Sequence, residues 1–257
     1  MALLELAGIG YSAGARSVLT GIDLTLQAGH VYGLVGPNGS GKSTLLKIMA
    51  RQLAATAGEI RLQSKPFADW TTRTFARNVA YMPQFTPATD GMTVSELVAL
   101  GRFPWHGTLG RFTSEDQALV TEAIARIDLA HFADRIVAHM SGGERQRAWI
   151  GMMLAQNARC LLLDEPTSAL DLAHQASVLA LVQSLARERS LTVIIVLHDV
   201  NLAARYCDRI VALGNGRIVA QGDPATIMTA EQLQRIFSVG MGVFSHPQRR
   251  EPISYLL

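Results

Sequence analysis

Val31-Tyr32-Gly33-Leu34-Val35 followed by Gly36-Pro37-Asn38-Gly39-Ser40-Gly41-Lys42-Ser43-Thr44 is the stretch that decides the fold. The first five residues carry no polar alternation and stop at a glycine, as expected of a strand buried on both faces. Gly36 to Ser43 fits the phosphate-binding loop pattern, and a helical pattern follows it. The glycines let backbone N–H groups turn inward around phosphate oxygens, and the helix N-terminus adds its positive end. Lys42 is placed to reach the β- and γ-phosphates of a nucleotide, and the Ser43 hydroxyl to bind Mg²⁺. Gly36, Pro37, Asn38, Gly39, Ser40, Gly41, Lys42, Ser43 and Thr44 form the expected phosphate-binding segment. A mere Gly-rich turn would not require every fixed position together with both flanks.

Two further apolar runs, Cys160 to Leu163 and Thr192 to Leu197, have the same character. Helical patterns lie between the runs. Lys42 to Leu53 places Leu45, Leu46, Met49 and Leu53 along one face. Glu115 to Leu129 repeats Leu119, Val120, Ala123, Ile124 and Ile127, opened by Ser114 and Gln117 at capping-box spacing. Strands alternating with helices imply an α/β fold with a mostly parallel sheet. Leu3 to Ile9 and Val18 to Leu26 read instead as an antiparallel hairpin turning at Ser12 to Gly14. The expected divisions are an antiparallel β-subdomain at 1–30 and a nucleotide-binding core at about 31–84 and 158–231. A helical insert occupies about 85–157, and 232–257 is expected to be a surface-draped tail without clear periodicity.

Cys160-Leu161-Leu162-Leu163-Asp164-Glu165 is a buried strand ending in two carboxylates. The apolar run carries Asp164 to the C-terminal edge of a sheet, where open α/β folds place ligands, so Asp164 is a candidate Mg²⁺ ligand. Glu165 faces another way and is a candidate to orient or deprotonate an attacking water. His198 ends the third run and is a candidate hydrogen-bond donor to a γ-phosphate oxygen. Gln84, after Tyr81-Met82-Pro83, is by itself only a polar loop residue. Ser141-Gly142-Gly143-Glu144-Arg145 opens a helix at Gln146 to Gln156, a second anion-binding device by the same N-terminal logic.

Taken in order, the phosphate loop, Gln84, Ser141 to Glu144, Asp164-Glu165, Ser168-Ala169-Leu170-Asp171 and His198 resemble the motif series of ATP-binding cassette (ABC) ATPases over nearly the whole chain. The resemblance implies a RecA-like P-loop NTPase core and a head-to-tail homodimer sandwiching two ATP molecules with Mg²⁺. Each ATP would lie between one subunit's phosphate loop and the other's Ser141, Gly142, Gly143 and Glu144. It further implies Gln84 as a ligand of Mg²⁺ and γ-phosphate, Tyr11 as the adenine-stacking aromatic, and Ser168 and Asp171 at the dimer interface. Met140 and Glu144 stand where the common pattern has Leu and Gln. Gly101-Arg102-Phe103-Pro104-Trp105-His106-Gly107 and His198 to Asp208 look like the ATPases of iron(III)-siderophore importers, ferric hydroxamate systems above all. That likeness implies two permease halves, separate or fused, a siderophore-binding protein outside, and a place on the cytoplasmic face of the bacterial inner membrane. The alternative reading is the ATPase of an importer for another metal chelate such as haem, cobalamin or a catecholate siderophore, with a soluble non-transport ABC ATPase as the more distant one. Phe103, Trp105 and His106 fit either local packing of the insert or permease contact.

Composition bounds these readings. The 257 residues hold 23 Lys+Arg against 21 Asp+Glu, a formal charge of +2, which argues against nucleic-acid binding through bulk electrostatics. With 49% apolar residues the chain is no disordered segment. No apolar run approaches the roughly 20 residues of a membrane span. Met1 to Gly10 lacks a basic start and meets Glu5 early, so no secretory signal is expected. Cys160 and Cys207 share no ligand spacing and read as reduced packing residues, in keeping with a cytoplasmic setting.

Overall fold

The computed structural model describes residues 1–107, 110–168, 170–249 and 251–257. Ala169, quoted above within the Ser168 to Asp171 motif, lies outside the described residues. The chain divides into two compact units, Met1–Trp70 with Leu185–Leu257, and Thr71–Ser184.

The first unit opens with β1 (Ala2–Ala13) and β2 (Arg16–Gln27), paired antiparallel across a turn at Gly14, whose φ of 61° suits glycine. Next come β3 (Val31–Val35), α1 (Lys42–Met49), β4 (Ala57–Leu62) and the short β5 (Lys65–Pro66). β4 pairs with the free edge of β1, so the antiparallel sheet draws on residues well beyond the hairpin. α1 ends at Met49 rather than at Leu53. Arg51 takes a φ of 56°, and the amides of Gln52 and Leu53 both turn back to the Lys47 carbonyl.

The second unit holds α2 (Thr72–Ala76), β6 (Val79–Met82), α3 (Val94–Leu100), α4 (Phe103–His106), α5 (Ser114–Arg126), α6 (Gly142–Ala155) and β7 (Cys160–Leu163). Here α3, α5 and α6 pack on one another, while β6 and β7 run parallel. The box that opens α5 is made by Thr113 and Asp116, one residue before the Ser114 and Gln117 expected from spacing. Asp116 wins because the same carboxylate also takes the buried Arg102 guanidinium at 2.8 Å.

α7 (Leu172–Arg189) leads back to the first unit, which then adds β8 (Thr192–Val196), α8 (Val200–Tyr206), β9 (Arg209–Gly214) and β10 (Arg217–Gly222). β3 lies between β8 and β9, parallel to both, and β10 closes the edge antiparallel to β9. Every residue of β3, β7 and β8 is buried, which explains why none alternates in polarity. The chain ends with α9 (Pro224–Ile227), α10 (Ala230–Phe237) and the antiparallel pair β11 (Met241–Ser245) and β12 (Pro252–Leu256). The expectation of an unpatterned tail from Gln232 is therefore corrected. Leu233 and Ile236 of α10 are buried, and Phe237, Met241 and Val243 cover a cluster of Val200, Met228 and Leu233. The architecture is an α/β nucleotide-binding core with an antiparallel β-sheet at its start and an inserted helical subdomain.

Candidate nucleotide-binding and hydrolysis site

In the first unit the phosphate loop leaves β3 at Gly36, whose φ of 137° is closed to a side chain, and a Cβ there would run into the Leu213 carbonyl oxygen. Gly41, at φ 101°, is the N-cap of α1, and no side chain caps that helix or places an acid in its first turn. By contrast, α3, α5 and α6 each begin with a Thr or Ser capping box. The start of α1 thus carries the positive end of its helix with no capping side chain and no acid in its first turn, which suits an anion. Lys42 is 5% exposed, and its Nζ donates to the carbonyls of Gly36 at 2.9 Å and Pro37 at 3.0 Å. Ser40 Oγ is buried with no hydrogen-bond partner among the described residues. A buried ammonium, an orphaned hydroxyl and an uncapped helix start fit a polyphosphate. Ser43 and Thr44 follow, half-buried, in the first turn.

His198 sits immediately past β8, the parallel neighbour of β3, and is exposed. The Leu197 amide still donates to the Leu34 carbonyl at 3.0 Å, so His198 leaves the sheet one strand away from the loop. Tyr11 is half-buried on β1, opposite Leu19 of β2.

The second unit gathers a different set. Asp164, 1% exposed, prolongs the β6–β7 ladder through its amide to the Met82 carbonyl. Beside it stands Tyr81, whose phenol burial and the Asp164 charge push up to about 12, so it stays a neutral neighbour. Glu165 then takes a φ of 50°, rare for a non-glycine residue, just past the end of β7. The Gln84 amide donates to Glu165 Oε2 at 2.6 Å, joining the loop after β6 to the turn after β7. A cavity of about 260 Å³ opens onto Gln84, Glu165, Gly142, Arg145 and Ser168. Sequence spacing gave no sign of Tyr81 beside Asp164, since that neighbourhood depends on strand register.

Ser141 caps α6, its Oγ and N both donating to Glu144 Oε2 at 2.8 Å, and these bonds hold Glu144 below the usual carboxylate range. A Cβ on Gly143 would strike the His174 ring, and His174 in turn donates to Asp171 from its backbone amide at 2.9 Å, which lowers the Asp171 pKa. Ser168, exposed, donates to the Glu165 carbonyl at 3.2 Å. In the helical insert Trp105 is clasped between the Arg77 and Arg102 guanidinia, 4.8 and 4.9 Å from its ring centre, and donates to Gln156. Trp105 is a packing residue; Phe103 remains exposed.

The ABC transporter family matches this chain over residues 19–168. The iron(3+)-hydroxamate import ATP-binding protein FhuC of Bacillus subtilis is 39% identical over 97% of this chain and 92% of its own length. The hemin import ATP-binding protein HmuV of Streptomyces coelicolor is 43% identical, covering 96% of this chain and 87% of its own. The ferric enterobactin transport ATP-binding protein FepC of Escherichia coli is 39% identical, covering 95% and 90%. Among solved structures, a chain described as part of a metal-chelate type ABC transporter in an inward-facing conformation superposes with a TM-score of 0.86 at 26% identity, covering 100% of this chain and 97% of that one.

Proposed function

This chain belongs to the ABC transporter family, and on that premise we propose that it is the ATP-hydrolysing subunit of an importer carrying an iron(III)-siderophore, of hydroxamate type, across the bacterial inner membrane. It works as a head-to-tail homodimer on the cytoplasmic face. Two permease subunits, or one fused permease, span the membrane, and a siderophore-binding protein delivers the cargo outside. ATP-driven closure of the dimer moves the permease between inward- and outward-facing states.

The observation that carries the ATPase reading is the phosphate loop. Its uncapped helix, buried Lys42 and Ser40 hydroxyl without a hydrogen-bond partner among the described residues fit a polyphosphate. Gly36 to Thr44 hold the β- and γ-phosphates, and Lys42 exchanges the Gly36 and Pro37 carbonyls for phosphate oxygens. Tyr11 stacks on adenine. Ser43, Asp164 and Gln84 are the residues that would hold Mg²⁺, which would supply positive charge against the phosphates. Glu165, oriented by Gln84, positions the attacking water and accepts its proton. His198 donates to a γ-phosphate oxygen as charge develops there, and ADP and phosphate leave. Ser141, Gly142, Gly143 and Glu144 serve the nucleotide held by the second subunit, while Ser168 and Asp171 couple the two subunits.

Glu165→Gln is the direct test. The variant should bind ATP, accumulate as a nucleotide-dependent dimer and turn over at least a hundredfold more slowly, as removal of a positioned base gives about 10²–10⁴. Near-normal hydrolysis would remove Glu165 from the central role. The cargo reading rests on relatives near 40% identity across almost the whole chain. Haem is the second cargo reading, favoured by the 43% identical hemin relative. Calorimetry on the partnering binding protein, with ferric hydroxamate against haem, decides between them.

A further inference from the structure

The C-terminal hairpin is joined to the helix that follows His198 by one side chain. Asn201, in the first turn of α8, donates from Nδ2 to the Ser254 carbonyl at 3.1 Å. Its Oδ1 accepts from the Ser254 amide at 2.8 Å and from Ser254 Oγ at 3.0 Å. An antiparallel strand turns the N–H and C=O of one residue to the same side, alternately toward and away from its partner. Ser254 faces Val243 across the hairpin, so its outward backbone pair is satisfied by the Asn201 amide, which replaces a third strand. Ser254 is itself buried.

The next residues back are held as firmly. Asp199 caps α8 by accepting from the Asn201 amide at 2.7 Å, and Val200 lies in the apolar cluster covered by Phe237, Met241 and Val243. His198 is exposed and borders a cleft of about 470 Å³ that Tyr255 and Leu256 of β12 also line. Behind it β8 is fixed by its parallel bond to β3. The histidine is therefore suspended between a rigid strand and a three-residue anchor supplied by the hairpin.

We propose that the C-terminal hairpin is a positioning element for His198, and that Asn201, through Ser254, is the positioning residue that transmits it. This rests on the role proposed above for His198 and names a further residue on which it depends. Without the clamp, α8 keeps its cap and its apolar contact, but its first turn loses the contact that fixes its rotation. The imidazole then samples directions that miss the γ-phosphate, and displacements of about 1 Å at such a group cost on the order of tenfold or more in rate.

The test is steady-state ATP hydrolysis by the full-length chain carrying Asn201→Ala, Ser254→Ala, His198→Gln, and Asn201→Ala with His198→Gln. Asn201→Ala should lower kcat about tenfold with KM for ATP within about twofold, and the double variant should be no slower than His198→Gln alone. The His198 imidazole resonance, assigned by its absence in His198→Gln, should broaden in Asn201→Ala. A fall in kcat that adds in full to that of His198→Gln, or a rise in KM without change in kcat, overturns the proposal. Should Asn201→Ala fail to fold, Ser254→Ala decides: it removes one hydroxyl and one bond, and about a twofold fall in kcat at constant KM supports the clamp, whereas wild-type kcat overturns it. If His198→Gln hydrolyses normally, the role given to His198 is wrong. If His198→Gln is inactive and Asn201→Ala is normal, only the present inference fails.

Discussion

At Gly36 the backbone turns out of β3 with φ near 137°, a conformation L side chains rarely adopt, and the Leu213 carbonyl stands where a Cβ would go. Gly36→Ala must therefore move either the loop or β9, at a cost of about 1–3 kcal/mol in backbone strain before any clash is counted. The expected outcome is a chain that still shows α/β circular dichroism but has lost the rise in Tm that ATP gives, measured by thermal shift with and without nucleotide. An unchanged ATP response would mean that the loop tolerates a side chain there. Residues of this kind were legible in sequence because spacing within eight consecutive positions is enough to define them. Partnerships across the chain were not. Nothing within either segment marks the Gln84 amide for Glu165 81 positions away, because that contact is created by β6 and β7 ending side by side. The same holds for Asn201 and Ser254, 53 residues apart.

At the scale of elements, local rules found the strands and most helices, then erred where a distant group chose between local options. Thr113 and Ser114 both precede an acceptor by three residues, and only the buried Arg102 decides for Asp116. The tail misled for a related reason: β11 and β12 are five residues each, and the outward backbone groups of Ser254 in β12 are satisfied by a helix side chain 53 residues away, which no local pattern announces. The Asp116 pair also carries a pH signature. Its hydrogen bonds from Thr113, aided by Arg102, lower its pKa to about 2 from 3.8. A carboxylate depressed in the folded state contributes stability that is complete above the unfolded value and lost as pH falls through the folded one. The loss should thus fall between about pH 4 and pH 2. Asp116→Ala should remove that acid step and, by stranding a guanidinium whose side chain is 6% exposed, destabilise the chain by about 3 kcal/mol in urea unfolding. A stability unchanged at pH 7 would show that the Ala155 carbonyl alone suffices for Arg102.

Over the whole molecule the charge-poor composition of 17% charged residues acquires a location. Among the described residues of the helical insert, Leu100 is 47% exposed, Phe103 51% and Phe112 42%, three large apolar side chains within thirteen positions. Among the described residues no helix is long and apolar enough to cross a membrane. A subunit of an ABC transporter works against a permease, and apolar side chains exposed together are the ordinary mark of a surface that another protein covers. Trp105 does not belong to that surface, since Arg77 and Arg102 enclose it. Leu100→Ser combined with Phe103→Ser should then leave ATP hydrolysis by the isolated chain within about twofold, because neither residue is among those proposed to bind ATP or to hydrolyse it. The same pair should reduce the permease that copurifies from solubilised membranes by about tenfold, the equivalent of roughly 1.4 kcal/mol of lost contact. Pull-down of the permease by tagged wild-type and double-variant chains, with ATPase activity measured on the same preparations, reads both quantities. Full retention of the permease would assign the exposed apolar residues to packing within the insert and move the docking surface elsewhere on the chain.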